Sequence, residues 1–461
     1  MTQQVTTLPD ADQSLRFDQR LKVMLELRRQ RLKEYVSFDA PFLRGLIAIG
    51  ALVAGWLLRR SRQPGKALSL EASLHRKAIG PSIDDAIERR IGFVISNDRS
   101  LLSDYLADLG PQGSTEVFFK DPGRLLGSRI LVLKSPAGAE KGLVSLDYSF
   151  VFPLFARCFD VPAIARRYHL LLEPSWSGYC DLDILCFAAY DFPVFVQAYE
   201  PRDRDFILRL GSNLIPVETA ASWWVDHRVF RPLPGVTKDA DVIMVASWAR
   251  FKRHAQLLAA LRQLRDQGER LQTILIGYAN DWSRKGIHDA ARYYGVADQV
   301  EMYERISPEE VNRHYNRAKV NVVWSRREGV NRAIIEGFFA GVPGVVRLGF
   351  NYGYRYPYIN GRTGCFASEA DLAGKLLEVT RGPAVLSPRE WVLENMSPQI
   401  ATRIVDRTIG SWCRSAGEEW EEGKVTVKLS QLDSQHYWDH ADRQQFGADY
   451  AFLRSTIRNS G

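Results

Sequence analysis

The sequence predicts an α/β chain with two Rossmann-like, doubly wound parallel-sheet domains and an N-terminal helical extension. Three observations predict it. From Asp241 to Leu348, short apolar runs alternate with longer amphipathic stretches, the periodicities of strand and helix. A weaker alternation runs from Arg129 to Pro216. Between them lies Val229-Phe-Arg-Pro-Leu-Pro-Gly235, a Pro/Gly linker that marks a domain boundary. At 461 residues the chain has room for both domains and an extra segment.

Taken in order, residues 1–15 are polar and expected to be disordered. Residues 1–125 form the extension, mainly helical from residue 16, although Ile91 to Ser96 also suits a strand and residues 91–125 can join the next domain. Residues 126–230 are expected to form a first Rossmann-like domain. Arg129 to Lys134 is a buried strand, followed by a loop ending in Gly138-Ala-Glu-Lys-Gly142 and then a helix through Phe155. Leu170–Leu172, Val194–Val196 and Asn213–Pro216 are further strands, and Asp203–Leu210 is a helix. Residues 236–382 form the second domain. Its strands are expected at 241–247, 272–277, 299–303, 319–324 and 344–348, and its helices at 254–267, 284–295, 308–317 and 330–340. Residues 383–461 read as a helical tail without evident chemistry.

Composition narrows the function classes. The formal net charge is +7, but acids and bases are interspersed, and no stripe of alternating basic and aromatic residues suggests nucleic acid. The excess suits a phosphorylated substrate or an anionic membrane surface. Cys158, Cys180, Cys186, Cys365 and Cys413 lack metal-ligand spacing, which suggests reduced thiols in a cytoplasmic setting. The N-terminus reads without a secretory signal. Gly45 to Leu58 is uninterrupted and apolar, shorter than the ~20 residues a bilayer span needs. Three placements fit it: an anchor in the membrane interface, a helix buried in the protein or against a partner, and a short span. Its basic flanks, and the basic helical stretch Arg16–Val36 before it with Leu21, Leu25, Leu32 and Val36 near one side, favour peripheral membrane contact through residues 16–62.

The chemistry concentrates in residues 325–343. Glu328 and Glu336 bracket seven residues, the first just before a helix and the second inside it. Val330, Ile334, Ile335, Phe338 and Phe339 give that helix a buried face, and small Ala333, Gly337 and Ala340 flank Glu336. A carboxylate beside an apolar stripe needs a polar partner, and the vicinal hydroxyls of a sugar or ribose supply one. Gly329 and Val330 bring backbone N–H groups to the helix start, a seat for phosphate. Each motif residue also has a plainer role open to it: Glu336 as an exposed helix glutamate, and Glu328 as a complement to the helix dipole.

This constellation, continued by Phe-Phe-Ala-Gly-Val-Pro, resembles the donor-site signature of family 4 retaining glycosyltransferases, which have the GT-B fold: two Rossmann-like domains facing across a cleft. The likeness spans roughly residues 213–382 and is in register with Val245-Ala-Ser-Trp-Ala-Arg-Phe-Lys252, Ile274–Gly277, Val300–Ile306 and Tyr315–Ser325. It implies that Glu336 holds the donor ribose, Glu328 the sugar hydroxyls and Lys252 the diphosphate. Gly277 and Asn331 would border the same pocket, with Ser325 and Arg332 beside them. Two positions depart from the family: Ser247 stands where it has an arginine, with Arg250 as a substitute charge, and Glu304 stands where many members have glycine.

In the first domain, Gly138–Gly142, His169 and Glu173-Pro-Ser-Trp-Ser-Gly-Tyr179 are weaker candidates for an acceptor cleft, each equally at home as loop or core. Asp181-Leu-Asp183 and Asp239-Ala-Asp241 spell a metal motif of a different transferase fold, and no metal is assigned to them. The resemblance therefore implies a hexosyl-type glycosyltransferase with a nucleotide-diphosphate sugar as co-substrate and a glycan, polysaccharide or lipid-linked acceptor. It implies no cofactor or required metal. Ser247 and Glu304 keep open a non-catalytic scaffold or nucleotide-sugar-binding subunit on the same fold.

Overall fold

The computed structural model describes residues 15–110, 113–328, 331–349, 356–382, 386–431 and 434–458. Most of the stretch expected to be disordered, residues 1–14, and the phosphate-seat residues Gly329 and Val330 lie outside them. The chain divides into two compact α/β units. The first comprises residues 40–226 and the segment from Glu394 on, with 329–332 grouped beside it. The second comprises the N-terminal residues through Asp39, 227–328 and 333–393.

Four helices lead the chain: α1 (Phe17–Glu34), α2 (Pro41–Arg60), α3 (Pro64–Arg76) and α4 (Pro81–Asn97). Prolines at the first turns of α2, α3 and α4 cost nothing, because the N–H groups there have no intrahelical acceptor. The possible strand Ile91–Ser96 is instead the last turns of α4, whose Ile87, Ile91, Val94 and Ile95 are buried at helical spacing. The apolar run 45–58 is the middle of a longer helix. In α2 only Ala48 and Gly55 are buried, so the helix is not buried within the chain itself.

In the first unit, β1 (Ile130–Lys134), β2 (Gly142–Asp147), β3 (Tyr168–Glu173), β4 (Val194–Gln197) and β5 (Leu214–Val217) form one sheet in sequential order. β2 through β5 pair in parallel, and β1 runs antiparallel to β2. Here the sequence expectation fails. Gly142–Asp147 was read as part of a loop and helix, and it is a fully buried strand. Gly138–Gly142 therefore belongs to the connection of an antiparallel hairpin, closed by Ala137 and Glu140 pairing with each other. The helix follows later, at Val151–Cys158.

The tail is part of this unit. Helix Pro398–Ala416 and a hairpin, β12 (Lys428–Ser430) with β13 (Gln435–Tyr437), pack onto the first sheet. Lys428, fully buried, pairs with the equally buried Glu173 at the end of β3, whose other oxygen accepts from Ser430 Oγ at 2.8 Å. Such a pair is tolerable only because both charges are neutralised and hydrogen-bonded.

The second unit holds a six-stranded, all-parallel sheet of β6 (Ala240–Val245), β7 (Thr273–Gly277), β8 (Val300–Glu304), β9 (Ala318–Val323), β10 (Gly344–Arg347) and β11 (Gly364–Ala367). The helices between them begin within two residues of the expected positions. Strand order is β11-β10-β9-β6-β7-β8. This is the Rossmann order, with its reversal between β6 and β9. Val242, Met244, Leu275, Val320, Val322 and Val345 supply the sheet's share of the core.

Candidate active site at the switch point of the second sheet

A parallel sheet whose order reverses opens a crevice beyond the carboxyl ends of the two strands at the reversal. Here those ends are Val245 of β6 and Val323 of β9. The loop after β6 carries Ser247, Arg250 and Lys252, and the loop after β9 carries Ser325 and Glu328. The two loops meet: Lys252 Nζ lies 2.7 Å from Glu328 Oε1. Ser325 Oγ donates to the same carboxylate oxygen. All three side chains are largely out of solvent, with Ser325 at 1% and Glu328 at 7% exposure.

Close backbone approach builds this crevice. A Cβ on Gly277 at the end of β7 would fall 2.2 Å from Ala246 O, so only glycine lets the loop after β6 run against β7. A Cβ on Gly337 would fall 2.6 Å from Asn321 Nδ2, so glycine sets the helix Arg332–Phe339 directly on β9. Asn321 Nδ2 then donates to Ala333 O at 2.8 Å.

Glu336 lies half-buried on that helix. The buried Tyr315 hydroxyl shares its proton between Ala333 O, at 2.8 Å, and the Glu336 carboxylate. Burial, with Glu336 beside it, pushes the Tyr315 phenol well above its usual range, so it stays a donor. Asn331 is buried just before the helix.

Other anticipated residues do not join the cluster. The Arg250 guanidinium pairs with Glu26 of α1 and lies 5.6 Å from the Trp282 ring, while its backbone N–H donates to Asp281 at 2.9 Å. Ser247 is buried in the loop after β6. Glu304 accepts from the Ala279 N–H at 3.1 Å, tying the last residue of β8 to the loop after β7.

The structure also reveals groups that sequence reasoning missed. Arg253, Arg326 and Arg347 stand at the carboxyl ends of β6, β9 and β10, and three carboxylates neutralise them. Glu34 of α1 sits 2.6 Å from Arg253 Nε and 2.8 Å from Arg326 Nε. Asp39 takes both terminal nitrogens of Arg326, at 2.7 and 2.6 Å. That guanidinium holds the Asp39 carboxyl below its usual range. Glu369 pairs with Arg253 and, at 2.8 Å, with Arg347. No local pattern signals partners so distant in sequence. His254, directly after Arg253, is fully buried, and burial together with Lys252 pulls its pKa down to about 3, so the ring is neutral.

In the first unit, the weaker candidates serve the scaffold. Glu173 is spent on Lys428 and Ser430. Tyr179 OH donates to Gln197 O at 2.6 Å, and Asp203 accepts from the N–H groups of Gly178 and Tyr179. Asp181 caps the N-terminus of the helix Leu182–Leu185. Trp176 alone of that stretch has a large, half-exposed apolar ring. His169 lies 3.4 Å from Cys413 Sγ and 3.5 Å from Glu418, a grouping with metal-ligand chemistry. Lys141 already pairs with Glu418, and burial with Lys141 and Lys134 nearby lowers the His169 pKa to about 3, a field that opposes a bound cation.

Residues 228–383 match the model of the family described as Glycosyl transferases group 1. That match lies almost wholly within the second unit. With a second Rossmann-like unit in the same chain, its architecture is that of the GT-B class. Among curated proteins none matches. Among solved structures, the chain is similar to sucrose-phosphate synthase from Thermosynechococcus elongatus at 16% identity, covering 70% of this chain and 79% of that one with a TM-score of 0.47. It is also similar to HepE of Anabaena, solved in complex with UDP, at 16% identity, 58% and 79% coverage and a TM-score of 0.44.

Proposed function

We propose that the chain is a family 4 GT-B glycosyltransferase that moves a sugar, with retention of configuration, from a nucleotide diphosphate to an acceptor hydroxyl. The Lys252–Glu328 contact across the switch point of a group 1 domain carries this reading. In it, Glu328 accepts from sugar hydroxyls. Lys252 leaves Glu328 for the diphosphate, assisted by the Gly329 and Val330 amides, and Glu336 holds the ribose. Asn331 donates to a sugar oxygen. As the bond from the anomeric carbon to the β-phosphate oxygen breaks, negative charge gathers on that phosphate. A preorganised cation stabilises the charge there. The acceptor oxygen attacks on the face the leaving group vacates, and its proton passes to the departing phosphate. This path needs no covalent nucleophile and no metal. The acceptor would meet the first unit and would be a glycan, a growing polysaccharide or a lipid-linked sugar, in the cytoplasm or at the cytoplasmic face of a membrane.

One observation favours a second reading. The family's companion arginine is Ser247, and Arg250, the nearby substitute, is paired with Glu26. A nucleotide-sugar-binding subunit without turnover would fit that loss. Nucleotide release from a panel of nucleotide sugars, together with thermal shift, separates the two. Release abolished by Glu336→Ala supports the enzyme; ligand-induced stabilisation without release supports the subunit; neither sinks both.

A further inference from the structure

α1 and α2 each turn a stripe of large apolar side chains to solvent. On α2 the stripe is Phe42, Leu46, Ile49, Val53 and Trp56, recurring every three or four residues, and it opposes the buried Ala48 and Gly55. Phe42 is 76% and Ile49 57% exposed. On α1 it is Phe17, Leu21, Leu25 and Leu32, while Leu27 and Gln30 face the second unit. A soluble helix normally has the reverse polarity, so these stripes mark a contact surface.

Charge identifies the partner. From Ala40 to Leu70 the charged residues are Arg44, Arg59, Arg60, Arg62 and Lys66, all cations. On α1 six cations face three acids, of which Glu26 and Glu34 are occupied by Arg250 and Arg253. A second copy would set cation against cation. An anionic lipid leaflet complements both the charge and the apolar stripe.

The attachments of α2 decide how it would lie. Its twenty residues extend about 30 Å, enough to cross a bilayer. But Arg44 donates to Lys77 O at 3.0 Å near one end, and Arg59 pairs with the buried Glu71 near the other. Both partners belong to α3 or its C-terminal cap. α3 is fastened to the rest of the first unit by Arg202 donating to His75 O at 2.6 Å and by His75 against Glu88. One long side of α2 is thus clamped to a polar body that cannot enter hydrocarbon. We infer that α1 and α2 each rest their apolar stripe lengthwise in the surface of an anionic bilayer, without spanning it.

The inference is independent of the transferase chemistry, because vesicle binding is read without substrate. Full-length protein should sediment with phosphatidylcholine vesicles containing phosphatidylglycerol and stay in solution with phosphatidylcholine alone. The paired substitutions Leu46→Glu with Val53→Glu, and Leu25→Glu with Leu32→Glu, lie at exposed or half-exposed positions and should leave the circular dichroism spectrum unchanged. Each pair should weaken vesicle partitioning about tenfold or more. Arg60→Glu with Lys66→Glu should weaken it similarly on anionic vesicles. Parent protein left in the supernatant, or stripe variants that pellet like the parent, would overturn the inference. So would a vesicle-free dimer that the stripe variants dissolve. Resistance of the cell-membrane-bound protein to alkaline carbonate extraction would overturn the surface placement in favour of a span.

Discussion

Glu34, on a helix far in sequence from the loops after β6 and β9, sits 2.6 Å from Nε of Arg253, a left-handed residue directly after Lys252. The same carboxylate reaches Arg326, two residues before Glu328. Helix α1 is therefore fastened to both loops that carry the Lys252–Glu328 contact. Glu34→Gln should lower the thermal midpoint by an amount equivalent to about 1.5–3 kcal/mol, the worth of a charge-assisted hydrogen bond, because Arg253 and Arg326 keep Glu369 and Asp39 as partners. Glu34→Gln together with Arg253→Met should recover part of that loss. Equal midpoints for Glu34→Gln and parent would show that the contact is not maintained in solution.

Lys252→Ala and Glu328→Ala should each reduce turnover about ten- to a hundredfold, the worth of one charge-assisted hydrogen bond of roughly 1.5–3 kcal/mol. Their double variant should lose less than the product of the two, because the residues contact each other before any substrate arrives. Nucleotide-release kinetics on the four proteins read this directly. Strict multiplicativity would mean that the two side chains act independently.

Gly337→Ala places a methyl 2.6 Å from Asn321 Nδ2. Overpacking of this kind costs about 1–3 kcal/mol. Trimming the neighbour with Asn321→Ser in the Gly337→Ala background should restore part of the thermal midpoint. Failure of that rescue would place the strain elsewhere.

Acid should destabilise the fold from near neutrality down. His169 and His254 are each held at about 3 by burial, below the ordinary value of 6.5. Above 6.5 neither state binds the proton. As pH falls from 6.5 towards 3, only the unfolded chain binds it, so stability falls by about 1.4 kcal/mol per pH unit for each ring. His254→Phe should flatten the dependence of the thermal midpoint on pH between 6 and 4, a window those pKa values set. An unchanged slope would mean that His254 gains a proton in the folded state.

The second sheet was legible because parallel strands buried on both faces appear as unbroken apolar runs, such as Val242-Ile-Met-Val245 and Ile274-Leu-Ile276. The same rule hid β2, where Ser145 and Asp147 interrupt the run although both are buried. It also misread Ile91–Ser96, since a short apolar run does not separate strand from buried helix. The tail hairpin was invisible because its buried face is polar: Lys428, Ser430 and Gln435 are inward and matched by Glu173 and Ser145. At the crevice, local sequence pointed to Lys252 and Glu328, which the fold brings into contact. It could not locate the arginine cluster, whose neutralising partners Glu34 and Asp39 come from the other end of the chain.

The first α/β unit is split, with its β1–β5 sheet encoded before the β6–β11 sheet of the second unit and the Lys428–Glu173 tie encoded after it. On the ribosome, the second unit therefore has all of its residues before the first does. Until roughly the last fourteenth of the message is reached, Glu173 lacks its partner Lys428. A nascent chain stalled or truncated ahead of Lys428 would hold a finished second unit and an incomplete first one, and quality-control proteases would meet the incomplete unit first.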